Sequence, residues 1–227
     1  METIDNSVAQ TKATQNKISP AMAQDLLMAG NARYVNNSAL NRNVQQQVKD
    51  TQKTQAPFAA VLCCIDSRAA AEVIFDQSIG DIFTARVAGN FVNTDILGSL
   101  EYATEVVESK LIMVVGHTGC GAVKSACIGI PDMGNISPML DKITPAVREV
   151  EKDMTNDPED AAFTNKVSAV NVRMTIENMI KDSDIIAARA ANPTVLRVVG
   201  AIYNVTTGEV TPTHIFNPKT GKVDETA

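Results

Sequence analysis

Three side chains that bind soft metals lie at the ends of two apolar runs. Cys64 follows the run 58–63, and His117 and Cys120 follow the run 111–116. Unbroken apolar runs of this length are typical of strands in a buried parallel sheet, and open α/β sheets bind ligands at the carboxyl ends of such strands. Two thiolates and one imidazole suit zinc, and three protein ligands leave a fourth position for water or substrate. The spacing therefore predicts a zinc site.

The same residue types allow plainer interpretations. Cysteine is often buried as a small hydrophobe, and a histidine three residues from a cysteine occurs by chance. The combination favours a metal, because Gly119 and Gly121 let the backbone approach a ligand closely beside Cys120. Asp66 and Arg68 also place an acid and a base close to the first cysteine. A redox pair of thiols and inert core thiols stay open as alternatives.

Two motifs in this chain resemble those of the β-class carbonic anhydrases. They are Cys-Ile-Asp-Ser-Arg at 64–68 and His-Thr-Gly-Cys-Gly at 117–121. Further stretches that are similar to the family lie at 80–83, 86–90, 98–103 and 200–208. The resemblance extends from about residue 23 to about residue 216, which is nearly the whole chain.

The resemblance implies a zinc lyase that reversibly hydrates carbon dioxide to bicarbonate and a proton. Cys64, His117 and Cys120 would bind one zinc ion per chain. Zinc lowers the pKa of bound water to roughly 7, so zinc-bound hydroxide would attack carbon dioxide. Asp66 is the expected catalytic partner of that hydroxide, and Arg68 would fix its angle through a forked ion pair. A plain ion pair that caps the turn is the other interpretation of this acid and base, and it is compatible with the first.

Other implied roles concern the substrate. The family pattern suggests that the Gly121 N–H binds bicarbonate, that Gln77 reaches the substrate from a neighbouring subunit and that Val92 lines an apolar pocket. Val87 stands where the common pattern has asparagine. The family likeness also implies a homodimer or a dimer of dimers, with the sites at the subunit interface.

In some members of this family the aspartate that matches Asp66 moves onto the metal and closes the site. Those members use a tryptophan in a bicarbonate-holding pocket, and this chain contains no tryptophan. The composition therefore favours an open site.

Three alternatives from other functional classes are compatible with the same residues. Hydrolases of carbon disulfide or carbonyl sulfide share this fold and its zinc ligands. A non-catalytic zinc-binding homologue would need four firm protein ligands, with Asp66 as the fourth. A thiol redox protein would need Cys64 and Cys120 to form a disulfide and would bind no metal.

The composition limits partners and location. The chain has 227 residues, a formal net charge of -6 and four cysteines. A chain of this length supports one sizeable core, and four cysteines are too few for a disulfide scaffold. The negative charge argues against nucleic-acid binding, and the absence of long apolar runs argues against a membrane span. The polar start predicts a cytoplasmic protein, or a periplasmic one if a signal peptide has been removed.

The chain is predicted to fold as a single α/β domain over residues 18–217. Its mostly parallel central sheet would contain four parallel strands plus an antiparallel edge strand, with helices around it. Residues 1–17 are polar and are predicted to be a flexible tail, and 218–227 are predicted to be a loose C-terminal tail.

Overall fold

The structure is a computed structural model that describes residues 4–130 and 132–226. Its strands, in chain order, are β1 (Ala59–Cys63), β2 (Ile82–Arg86), β3 (Leu111–His117), β4 (Arg197–Tyr203), β5 (Val210–Asn217) and β6 (Lys222–Glu225). Its helices are α1 (Lys12–Gln15), α2 (Pro20–Val35), α3 (Val44–Thr51), α4 (Ala71–Ile74), α5 (Thr94–Glu101), α6 (Gly121–Ile128), α7 (Ile136–Leu140), α8 (Thr144–Val150), α9 (Ala161–Asp182) and α10 (Asp184–Ala190). A π-helical turn (Tyr102–Val106) extends α5.

Within the described residues, these strands form one sheet in the order β2-β1-β3-β4-β5-β6. The first four strands of that order are parallel, and β5 and β6 are antiparallel to their neighbours. The predicted α/β class, with its mostly parallel sheet and surrounding helices, is confirmed. The prediction of a single antiparallel edge strand was wrong by one strand, because β6 continues the sheet beyond β5.

Both ends of the chain are more ordered than their polar composition suggests. In the segment predicted as a flexible N-terminal tail, Thr11 caps α1, and the buried Gln15 amide donates to the Pro57 carbonyl at 2.8 Å. In the segment predicted as a loose C-terminal tail, β6 pairs with β5. Backbone and amide hydrogen bonds tie down both segments, although neither contains an apolar run. Residues 1–3 and 227 of these predicted tails lie outside the described part.

The sheet has a core on each face, as expected for strands that are covered on both sides. Val61 and Cys63 of β1 point to the face covered by α2 and α4, and Leu62 points to the opposite face, which α9 and α10 cover. Cys63 thus packs in the core on the side away from Cys64, as the alternation of a strand predicts. A third apolar cluster, between α6, α8 and the first half of α9, lies beside the carboxyl ends of β1 and β3.

The order of the strands creates a crevice at one edge of the sheet. From β1 the chain continues to β2 on one side, and β3 then returns to the other side of β1. The connections after β1 and β3 therefore diverge, and open α/β sheets bind ligands at such a point. The two motifs predicted to carry the chemistry follow these two strands.

No helix in the described part of the chain combines the length and the apolar character needed to cross a bilayer.

Candidate metal centre

Three buried side chains converge where β1 and β3 end. Cys64 immediately follows β1, His117 is the last residue of β3, and Cys120 is the residue before α6. Their ligand atoms all lie within 4.8 Å of one another. Each residue is at most 4% exposed, so the cluster is shielded from bulk water. The structure brings together the three residues that the sequence predicts as metal ligands.

The separation of the two sulfurs distinguishes a metal site from a disulfide. The Sγ atoms of Cys64 and Cys120 are 4.0 Å apart and both cysteines are free. A disulfide needs about 2.05 Å. Two sulfurs that each lie about 2.3 Å from a tetrahedral zinc are about 3.8 Å apart. The geometry therefore suits a shared metal and not a redox bridge.

The two thiols differ in their surroundings. A hydrogen bond with Cys120 lowers the pKa of Cys64, and the Gly89 N–H adds to this effect. Hydrogen bonding to Cys64, together with burial, raises the pKa of Cys120. In the absence of a metal, a proton lies between the two sulfurs, and either sulfur could be its donor. Metal binding would release the remaining proton, because the thiolate is the ligand form.

The orientation of His117 also fits a metal ligand. Its Nδ1 lies 3.0 Å from the Thr118 carbonyl, which can only accept, so Nδ1 carries the proton. The lone pair is then on Nε2, which is buried and has no hydrogen-bond partner. A buried polar atom without a partner needs an explanation, and coordination of a metal supplies one. The donor set of two sulfurs and one imidazole nitrogen fits zinc.

Asp66 lies beside the cluster and is held there by Arg68. The Arg68 Nε and Nη2 atoms donate to the two carboxylate oxygens at 2.9 and 2.7 Å, and the Arg68 backbone N–H also donates to Oδ1 at 2.9 Å. The Arg68 guanidinium holds the pKa of Asp66 well below its usual range. Asp66 Oδ2 is 4.0 Å from His117 Nε2, so the carboxylate faces the ligand position without joining the cluster.

Hydrogen bonds to the backbone and to the sulfur hold the turn that contains Cys64. Arg86, at the end of β2, donates from Nε to the Cys64 carbonyl at 2.9 Å and from Nη2 to the Asp66 carbonyl at 2.7 Å. The Gly89 N–H lies 3.3 Å from Cys64 Sγ. These contacts orient the thiolate and stabilise its charge.

Two asparagines of α9 reach the loops of the site, and sequence reasoning did not find them. Asn165 accepts from the Gly119 N–H at 3.2 Å, and Asn171 donates to the Gly89 carbonyl at 2.8 Å. The sequence of α9 contains one signal that could have found Asn171: polar residues recur at helical spacing on a helix face that is otherwise apolar. The buried members of that set are Thr164, Ser168, Asn171 and Thr175.

Comparison with known proteins agrees with this geometry. The family model described as carbonic anhydrase matches residues 59–210. A carbonic anhydrase of Mycolicibacterium smegmatis is 33% identical over 197 residues, which cover 84% of this chain and 92% of that protein. Carbonic anhydrase 2 of Mycobacterium tuberculosis is 33% identical over 206 residues, which cover 87% of this chain and 95% of that protein. The chain belongs to the β-class carbonic anhydrase family.

Solved β-carbonic anhydrases share the fold. The Coccomyxa enzyme, determined in complex with acetazolamide, matches with a TM-score of 0.67 and 25% identity over 84% of this chain and 81% of that chain. One of two tetrameric β-carbonic anhydrases from Sordaria macrospora matches with a TM-score of 0.67 and 21% identity over 85% of this chain and 94% of that chain.

The structure does not test the three residues that are predicted to contact the substrate, but it shows where they lie. Gly121 begins α6, is exposed and directly follows Cys120. Val92 is partly buried and packs with the core under α9, whereas Val87 packs against the cluster that contains both cysteine ligands. Gln77 is buried after α4, and its Nε2 donates to the Phe75 carbonyl at 2.7 Å instead of to a residue of the metal cluster. Substrate contacts for Gly121, Val92 and Gln77 stay predictions.

Proposed function

We propose that the protein catalyses the zinc-dependent, reversible hydration of carbon dioxide to bicarbonate and a proton. The observation that carries this proposal is the cluster of Cys64, His117 and Cys120, with the carboxylate of Asp66 held next to it and not within it. Three protein ligands with a free fourth position are typical of catalytic zinc, whereas structural zinc sites are closed by four. A zinc ion bound by these residues would supply hydroxide at neutral pH, because it lowers the pKa of the water that it holds.

The residues of the chain position the nucleophile. Asp66 is ionised and accepts hydrogen bonds only, so it can bind the hydroxyl proton of a nucleophile beside His117 Nε2. Arg68 keeps the carboxylate out of the ligand position by a two-pronged contact. Val87 and Phe91 belong to the apolar surroundings of Cys64 and Cys120, and we expect carbon dioxide to approach along them. The proposed roles of Asp66 and Arg68 are therefore those of catalytic and positioning residues.

Self-association is part of this proposal. In the described part of the chain, β2 is an edge strand that pairs only with β1. A cavity of about 630 Å³ lies beside it, lined by Phe83, Ala85 and Tyr102 among others. Tyr102 and Val106, both in the π-helical turn, are 53% and 65% exposed. We infer that a second copy of the chain covers this edge, in line with the assembly named for the Sordaria macrospora enzymes.

The direct test is stopped-flow hydration of carbon dioxide by protein whose zinc content has been measured. We expect about one zinc ion per chain and rapid hydration at neutral pH. Zinc without hydration would contradict the proposal. Release of sulfide from carbon disulfide or carbonyl sulfide by the same preparation would then support the alternative hydrolase.

A further inference from the structure

A buried asparagine connects α9 to the loop that follows β2. Asn171 is 2% exposed, and its Nδ2 donates to the Gly89 carbonyl at 2.8 Å. The two residues are 82 positions apart in the chain. Buried side-chain amides are rarely placed without a partner, so this contact fixes the loop against the helix.

The other side of Gly89 faces a metal ligand. Its N–H lies 3.3 Å from Cys64 Sγ. Gly89 has a φ of +82°, and a Cβ there would lie 2.4 Å from Ile143 Cδ1. The loop is therefore confined between Ile143, Asn171 and Cys64. The N–H and the carbonyl of Gly89 lie in the two peptide planes that meet at its Cα, so a displacement of the whole residue would weaken both contacts.

We propose that Asn171 is a positioning residue for the metal site, acting on Cys64 through the backbone of Gly89. By holding the carbonyl, Asn171 aims the N–H at the thiolate sulfur, which gains a hydrogen bond and a fixed orientation toward the metal. The inference rests on the proposed zinc site. The inference adds a residue of α9 to that site, although α9 contributes none of the three clustered residues.

Loss of the Asn171 contact should weaken metal binding directly, and it should change turnover only as a result. Loss of an outer partner of a metal ligand typically weakens metal affinity by about 10- to 100-fold. A purely structural asparagine would instead lower the stability of the fold and leave the environment of the cysteine sulfur unchanged. Spectroscopy of the metal–sulfur bond distinguishes the two roles.

The experiment uses the full chain and compares Asn171→Ala with Ser168→Ala. Ser168 is a matched control because it lies on the same helix, is 3% exposed, and donates only to the Thr164 carbonyl of its own helix. Asn171→Ser is a milder second variant, with a hydroxyl that is too short to reach Gly89. Zinc affinity is measured by competition with a chelator. The thiolate-to-cobalt absorption band is recorded on the cobalt-substituted proteins, and thermal unfolding on the metal-free proteins.

We expect both Asn171 variants to bind zinc about 10- to 100-fold more weakly and to shift the thiolate-to-cobalt band. Ser168→Ala should match the wild type in both. Wild-type affinity and spectrum in the Asn171 variants would overturn the inference, and so would equal losses in Ser168→Ala. A wild-type chain that binds neither metal would overturn the proposed function itself, which separates the two failures.

Discussion

At the scale of single residues, Asp66 is held close to the cluster of Cys64, His117 and Cys120 without being part of it. The two-pronged contact with Arg68 keeps both carboxylate oxygens engaged. A neutral amide at this position would retain the shape of the side chain but would weaken the ion pair. It would also offer a donor where the nucleophile needs an acceptor.

Asp66→Asn should therefore keep zinc and lose most hydration activity. Loss of a positioned acid–base partner typically costs about 100- to 10,000-fold in rate, and we expect a fall of at least about 100-fold. The measurement is stopped-flow hydration at matched zinc content. Glu72→Gln is the control, since Glu72 is an exposed acid that bonds Thr84. Turnover equal to that of the control would remove Asp66 from the mechanism.

Two buried cysteines of α6 and its start, Cys120 and Cys127, allow the loss of a proposed ligand to be compared with the loss of an ordinary thiol. Cys120→Ala removes one of three ligands, and we expect the zinc content to fall far below one per chain. Cys127→Ala is the control, because Cys127 is also buried but lies in α6 outside the cluster. Metal analysis of both purified variants decides the assignment. Full zinc occupancy in Cys120→Ala would contradict the ligand set.

The sequence alone predicts the three residues that the structure brings together, but not the residues that hold them in place. The chemistry of Cys64, His117 and Cys120 is visible in residue type, and their position after apolar runs places them at one sheet edge. The contact of Asn171 with Gly89 joins residues 82 positions apart. It depends on the packing angle of α9 across the sheet, which no local spacing encodes.

At the scale of elements, the turn before β2 contains a buried acid. Asp81 is 0% exposed and accepts from the Ser78 N–H at 2.8 Å through Oδ2. Burial raises the pKa of Asp81 from 3.8 to about 6. Because the folded pKa is above the unfolded one, the fold favours the protonated acid. This contribution to stability is present below about pH 4 and is lost as the pH rises through about 6.

Asp81→Asn should remove that dependence while keeping an acceptor for the Ser78 N–H. The free energy of unfolding of the variant, relative to wild type, should rise between pH 4 and pH 7. A difference of two pKa units sets an upper limit of about 3 kcal/mol on this rise. Urea unfolding of both proteins across that range measures it. A difference that is constant with pH would show that Asp81 does not titrate in this way.

Some strands could be predicted from the sequence and others could not. Unbroken apolar runs identified β1 and β3. The helix α2 begins where Ser19 accepts from the Met22 N–H and Pro20 occupies the first turn. The strand β6 contains a single apolar residue, Val223, which packs against the core under α9. Pairing with β5, and not its own composition, makes it a strand.

At the scale of the whole molecule, the two edges of the sheet differ. On one side, the mostly charged β6 covers β5, and charged edges discourage further pairing. On the other side, the half-exposed Tyr102 packs against Phe83 of β2, and Val106 of the same π-helical turn is also exposed. This asymmetry supports the proposed association through β2. The cytoplasmic location stays a prediction of the sequence.

Tyr102→Glu combined with Val106→Glu should convert the assembly to monomers, because it would bury two charges in the proposed interface. Ile128→Glu is the control, since Ile128 is also 53% exposed but lies at the end of α6. Sedimentation velocity gives the mass of each protein. An unchanged mass in the double variant would exclude β2 as the contact edge.

The wide spacing of Cys64 and Cys120 along the chain has a consequence for the order of events during biosynthesis. Cys64 and Cys120 are 56 residues apart and meet only through the pairing of β1 with β3. A nascent chain must extend beyond Cys120 and assemble the centre of its sheet before all three donors face one another. We therefore expect zinc to be loaded into a chain that has already folded. Metal-free protein would then keep its secondary structure and regain the metal without refolding.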